Sequence, residues 1–342
     1  MKNGIKSLPY KVLLVKNGGY VYAKGYDLYV YDNQTGKTTP IGRIPDRRYA
    51  FLSRCRLSRR FFRAEITGLY ELRDGSLFAI AKKGLFKSQP DTGQWVKCFT
   101  VPRGSKPLNI CALPNGHLFF GEYFMNMEKQ AVNVYRSVDD GDSWQVCYTF
   151  SQGNINHIHG LFYDKYTDRM WCLTGDCENE CIIGYTEDEF KTFVEVFRGG
   201  QEYRSCQLFF FPDYIIYATD SQYMQNCIKR IDRATLEVTR LRNIQGTAIK
   251  GKQTTDGCML STTVEPSEVN IDQYSHLWFS RDGMQWKELF SARKDCLPAI
   301  MQFGSIEFPE YKCNLNGQIY FSGRALKGID GKSMFFKIDS NE

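Results

Sequence analysis

Three observations predict an all-β chain folded as a β-propeller. Helical periodicity is nearly absent, and runs of four to eight residues rich in Val, Ile, Phe, Tyr and Leu are separated by turns marked by Gly, Asn or Asp. One turn motif recurs, with copies starting at 88, 137, 186, 231 and 280, so the spacings are 49, 49, 45 and 49. A repeat of about 45 residues that holds four short strands is one propeller blade. First strands are predicted near Lys11, Ile66, Leu108, Ile155, Tyr203, Thr247 and Ile300, giving seven blades in one domain over residues 1–342. The last unit has three clear strands, so an N-terminal segment is expected to complete it. The count falls to six if the first unit is a cap.

Composition narrows the class further. Aromatics make up 15% of the 342 residues, too many for a disordered chain. No run approaches the 18 apolar residues of a membrane-spanning helix. The apolar stretch 12–15 is too short for the core of a secretory signal, which predicts a cytoplasmic protein whose 12 cysteines are free thiols. Cys111, Cys172, Cys206 and Cys258 sit in strand-like runs as small hydrophobes. The spacing of Cys172, Cys177 and Cys181 matches no usual zinc signature. Phosphate-binding glycine loops, the G-x-S-x-G elbow and H-E-x-x-H are absent, which argues against nucleotide hydrolysis, serine esterase and zincin chemistry.

The fullest copy of the turn motif is Ser137-Val-Asp139-Asp-Gly141-Asp-Ser143-Trp144. Shorter or altered copies run from Ser280 through Asp282 and Gly283 to Trp286, from Thr186 through Asp188 to Phe193, and from Ser88 through Asp91 and Gly93 to Trp95. Asp32–Gly36 and Asp232 lie in weaker echoes. The physical expectation is a hairpin turn in which Asp accepts from backbone N–H groups, Gly takes the left-handed position and Trp or Phe packs between sheets. These segments resemble the Asp-box, or BNR repeat, of sialidases and related propellers. The resemblance implies a propeller fold and a carbohydrate-directed site. A sialidase of that kind sets three Arg on a carboxylate, and Arg204 and Arg324 are the candidates here.

Each second strand of a blade is an apolar run that ends on a charge: Lys24, Lys82 with Lys83, Glu122, Asp176, Asp220, Glu265 and Arg324. In an antiparallel blade the end of the second strand and the start of the first share one edge. His157 and His159, two of only four histidines, open one first strand and are two apart, so they face the same way. Gln201 and Arg204 open the next, and Asn126 follows Glu122 and Tyr123 in a loop at the same edge. Together these predict a funnel lined by carboxylates, imidazoles and a guanidinium, suited to a sugar acid.

Paired carboxylates serve glycoside hydrolysis, with Glu122, Asp176 and Glu265 the acid/base candidates. Elimination from a uronate would instead use His157, His159 and Tyr123. Arg204, Asp220, Asn126, Gln201, Arg324 and Lys82 are assigned to substrate binding. The predicted function is a glycoside hydrolase or glycan lyase acting on an acidic sugar, with a non-catalytic glycan- or protein-binding propeller as the alternative. No cofactor is called for, although His157 and His159 could hold a divalent metal. The expected partner is a glycan or sugar acid, not nucleic acid. Residues 43–63 hold eight Arg against the single acid Asp46, about +7, and so exceed the net charge of +6 of the whole chain. They are expected to form an insertion between the first two units.

Overall fold

The computed structural model describes residues 4–89, 92–314 and 317–338. Half of it is strand and 7% helix. The chain divides into two compact units. One comprises residues 1–97, 250–265 and 273–342, the other 98–249 and 266–272.

In the second unit, three consecutive four-stranded antiparallel sheets follow the chain. Their strands are Cys111–Ala112, Leu118–Gly121, Val132–Ser137 and Gln145–Phe150; His157–Asp164, Arg169–Gly175, Ile182–Thr186 and Val194–Arg198; and Ser205–Phe210, Tyr214–Thr219, Cys227–Asp232 and Val238–Asn243. Alternate residues of these strands make two apolar layers. One joins Phe119, Val134, Leu161 and Cys172, and the other joins Leu173, Ile183, Leu208 and Tyr217.

The other unit carries a sheet of Gly68–Glu71, Leu77–Ala81, Gly84–Ser88 and Trp95–Thr100. A five-stranded sheet joins Lys11–Lys16, Gly19–Lys24, Asp27–Asp32 and Thr38–Arg43, with Glu310–Tyr311 added in parallel to Lys11–Lys16. The last two strand sets merge. Gly304–Glu307 pairs with Gly257–Val264, placing Ser305 opposite Thr263, and an eight-stranded sheet results. Lys6–Leu8 pairs with Ser333–Lys337, so an N-terminal strand is added to the last set.

The recurring turns are closed by their aspartates. Asp139 accepts from the Ser143 N–H at 2.9 Å, the Ser143 hydroxyl at 2.6 Å and the Ser137 hydroxyl at 2.7 Å. Asp188 accepts from Thr192 in the same way, and Asp282 from the N–H groups of Met284 and Gln285. The Trp144 and Trp286 indoles donate to the carbonyls of Gly141 and Gly283. Gly141 takes φ 87°, as expected, but Phe190 holds the equivalent place in its copy at φ 68°. A phenylalanine is costly there, and the burial of its ring against Phe193 and Tyr148 offsets that cost. Pro90 and Asp91 of the copy beginning at Ser88 lie outside the described residues. Replacing Asp139 by alanine is expected to lower stability by about 1 kcal/mol, since its bonds are charge-assisted but exposed; a denaturant midpoint measures it.

Residues 43–63 form two short helices, α1 (Arg47–Leu52) and α2 (Arg56–Phe62). Asp46 caps α1 by accepting from the Tyr49 N–H at 3.0 Å. All twelve cysteines are free thiols.

Candidate active site

The second unit gathers most of the sequence-predicted site residues. His157 and His159 lie on His157–Asp164, and the pairing with Arg169–Gly175 shifts register between Ile158 and Gly160. The irregularity sits at His159 and turns its ring beside that of His157, with ring centres 5.0 Å apart. Gly175, opposite His157, makes room: a Cβ there would lie 2.5 Å from His159 Cε1.

Each imidazole is oriented by main chain. His157 Nδ1 lies 2.9 Å from the Phe124 carbonyl and His159 Nδ1 lies 3.0 Å from the Ser205 carbonyl. A carbonyl oxygen can only accept, so both Nδ1 atoms carry the proton. The neutral rings therefore aim Nε2 lone pairs inward, and these two nitrogens are 3.1 Å apart. Asp176 closes the cluster, with Oδ1 3.2 Å from His159 Nε2 and Oδ2 3.4 Å from His157 Nε2. Three electron-pair donors thus converge with no hydrogen among them in the neutral state.

Arg204 binds beside them. Its Nη2 is 2.8 Å from Asp176 Oδ1, and its Nε lies 3.7 Å from Asp220 Oδ2. Cys206 Sγ is 3.3 Å from the same Asp220 oxygen. Burial pulls the Asp176 carboxyl up; with the two rings protonated, the Nε2–H bonds they then donate and their positive charge outweigh it and hold the carboxyl well below the usual range. Asp220 goes the other way: complete burial raises it, and Arg204 only partly offsets this. Burial, then the Asp220 charge, pushes the Cys206 thiol well up. Asn156 donates to Asp176 Oδ2 at 3.1 Å. Tyr123 packs its half-buried ring 4.4 Å from that of His157.

Beside the cluster, the buried atoms Asn156 Oδ1, Arg204 Nε and Asp220 Oδ1 have no hydrogen-bond partner among the described residues, as is also true of buried atoms elsewhere such as Trp171 Nε1. Buried polar groups nearly always find partners, so these atoms are available to a ligand.

Several predicted residues have other work. Glu122 is already engaged: Arg103 binds its carboxylate, the Asn133 N–H donates to it at 2.8 Å, and the Tyr135 hydroxyl reaches it at 3.4 Å. With its acceptor sites taken, it anchors a loop. The amide of Asn126 is engaged as well. It is buried and clamps the carbonyls of Gln130 and Asn156 at 2.8 and 3.0 Å. Gln201 donates to the Asp176 carbonyl at 2.8 Å and accepts from Ser221, positioning Asp176. Cys206, read from sequence as strand filler, touches Asp220.

Glu265, Arg324 and Lys82 belong to the other unit. Arg324 is half-buried and pairs with Glu307 and, at 2.9 Å, with Glu65, while Lys11 reaches Glu307 at 2.7 Å. Two acids and two bases neutralise one another there, and Arg324 is a structural charge. Lys82 has its ammonium lowered by burial, then by Arg63 and Lys83. Sequence reasoning passed over Arg103, Asn156 and Ser221, whose partners are named above; Asn156, one residue before His157, was the one with a positional signal.

No protein-family model and no curated protein matches the chain. Solved structures do. An oligogalacturonate lyase in complex with manganese aligns with a TM-score of 0.62 at 11% identity, over 98% of this chain and 91% of that one. The WD40 β-propeller domain of Doa1 aligns at 0.56 and 12% identity, over 100% and 97%. A GH74 enzyme of Niastella koreensis aligns at 0.56 and 13%, over 96% of this chain but 56% of that enzyme. At such identities the likeness is one of fold, and the fold is a β-propeller.

Proposed function

We propose that the protein is a carbohydrate-active enzyme that cleaves an acidic glycan by β-elimination at the cluster of His157, His159 and Asp176, with a divalent cation held there. The observation that carries this reading is the pinning of both imidazoles by main-chain carbonyls, so that two Nε2 lone pairs and a carboxylate meet. That is the arrangement of metal-ligating histidines, whose other nitrogen donates to a carbonyl or carboxylate. The separations of 3.1, 3.2 and 3.4 Å are those of ligands sharing one ion with bonds of about 2.0–2.2 Å. The fold neighbours support it: an oligogalacturonate lyase is by name a uronide-cleaving enzyme, and one was solved with manganese. Hydrolysis is the weaker reading, because Glu122 is tied to Arg103 and Arg204 sits between Asp176 and Asp220.

The chemistry follows from the residues. A divalent cation bound there would draw electron density from a uronate carboxylate and so acidify the neighbouring C5 hydrogen. Arg204 opposes the same carboxylate charge. Tyr123, against His157, takes the C5 proton in its phenolate form and becomes the phenol. The C5–H electrons form the C4–C5 double bond as the C4–O bond breaks, and the departing oxygen leaves as a hydroxyl on receiving a proton back from Tyr123. Asn156 and Gln201 hold Asp176 in place throughout.

The test is direct. Oligouronates incubated with the protein and manganese should yield products with the near-ultraviolet absorbance of an unsaturated uronate, and Tyr123→Phe should lower the rate by about 10²–10⁴-fold. New reducing ends without that chromophore would mean hydrolysis, and binding without turnover would mean a scaffold. Gly175→Ala, which drives a methyl against the His159 ring, is expected to weaken manganese binding by about 10–100-fold in a calorimetric titration.

Three further readings belong to the proposal. The aspartate-closed turns support kinship with the Asp-box group. Twelve unpaired thiols support a cytoplasmic location. Seven first strands, from Lys11–Lys16 to Gly304–Glu307, support seven blades.

A further inference from the structure

The arginine-rich segment has a use that glycan cleavage does not absorb. Half of its arginines are structural. Arg43 pairs with Asp27, and Arg56, Arg59 and Arg60 converge on Asp295 and Asp330 at 2.6–2.9 Å. Arg59 lies so close over Gly331 that a Cβ there would collide with its guanidinium. These contacts fix α1 and α2 on the unit. The other four, Arg47, Arg48, Arg54 and Arg63, meet no acid among the described residues, and Asp46 is spent on capping α1. Interleaved with them are large apolar side chains that the unit leaves uncovered: Phe51 is 70% exposed, Leu57 54%, Phe61 55% and Phe62 37%. Arg60 donates to the Met301 carbonyl at 2.7 Å, which brings the turn Ala299–Met301 against α2, and Ile300 in that turn is 74% exposed.

We infer that this face binds an anionic membrane surface. Unpaired guanidinium groups supply attraction to lipid phosphates, and the flanking Phe and Leu side chains have the size and apolarity to enter the headgroup–acyl boundary. The aliphatic members decide between an anionic bilayer and a nucleic acid. Leu57 and Ile300 cannot stack on bases, and a phosphate backbone would leave them in water, whereas hydrocarbon covers them together with the phenyl rings. Rigid attachment through Arg56, Arg59 and Arg60 presents the face without an ordering cost at binding.

The experiment is co-sedimentation of the intact protein with phosphatidylcholine vesicles, with and without phosphatidylglycerol. The expected result is binding only where phosphatidylglycerol is present, weakened by added salt. Arg47→Gln with Arg48→Gln and Arg54→Gln should reduce it about ten-fold or more. Phe51→Ser with Phe61→Ser should abolish it. Both variants should keep the parental unfolding midpoint, because the anchoring arginines are untouched. Equal binding to neutral vesicles, no binding to either, single-stranded DNA captured by the same arginines while vesicles are ignored, or self-association lost in the Phe51/Phe61 variant without vesicle binding would each overturn the inference.

Discussion

Replacing His159 by alanine is expected to remove divalent-cation binding and to lower elimination by about 10²–10⁴-fold, the range for losing a group that acts in the transition state. His159 is buried, and its Nε2 lies 3.1 Å from His157 Nε2 and 3.2 Å from Asp176 Oδ1. Without it the two remaining donors no longer enclose a site. Stability should fall by about 1–3 kcal/mol, because the Ser205 carbonyl loses its donor and a small cavity opens. The activity loss must therefore be read at a temperature where the variant is folded, checked by its thermal midpoint. Asp176→Asn keeps the shape and removes the charge, so it should reproduce the loss of metal affinity, with a loss of stability as well because the buried Arg204 guanidinium loses its partner at 2.8 Å. A variant that binds manganese normally yet is inactive would move His159 from holding the cation to proton transfer.

The second large effect is structural. Asp295→Asn should destabilise the protein by about 3 kcal/mol, the lower end of the cost of breaking a buried ion pair. Asp295 accepts from Arg60, Arg56 and Lys294, each at 2.6 Å, and Arg60 is 1% exposed. Removing the carboxylate charge leaves a buried guanidinium with the Met301 carbonyl at 2.7 Å and Asp330 at 3.6 Å. The same contact sets an acid limb. Burial raises the Asp295 carboxyl, but bonds from Arg60 and Lys294 outweigh it and bring it down to about 2. A depressed folded value means that the unfolded chain takes up the proton first. The contribution is full above about pH 4 and is lost as pH falls through about 2. Denaturation midpoints of the parent should drop across that window, and those of Asp295→Asn should lack this component.

What was legible in the sequence follows the range of the interactions. The turns at Asp139, Asp188 and Asp282 were legible because each is closed by bonds to residues two to four positions away. The convergence of His157 and His159 was legible from strand periodicity, although the shift in register at His159 was not. Asp176, Asp220 and Arg204 were found because strand ends of successive hairpins share an edge. What failed depended on distant partners. Arg103 claims Glu122 from 19 positions earlier, and Asp220 meets Cys206 from 14 positions later. Arg60 is buried against Asp295, 235 positions away, and half of the arginines of residues 43–63 are paired with acids distant in sequence, which is why the segment reads as uniformly basic. Merging of the last two strand sets rests on two pairs, Thr263 with Ser305 and Val264 with Gly304, that no local pattern announces.

The central claim is that His157, His159 and Asp176 hold a cation used in elimination. The measurement that tests it most directly is the rate of unsaturated-uronate formation from an acidic oligosaccharide before and after chelator treatment, with manganese then restored. The account predicts activity that is lost on chelation, returns with manganese in the parent, and does not return in His159→Ala. Activity unchanged by chelation, or equal in parent and His159→Ala, would contradict it.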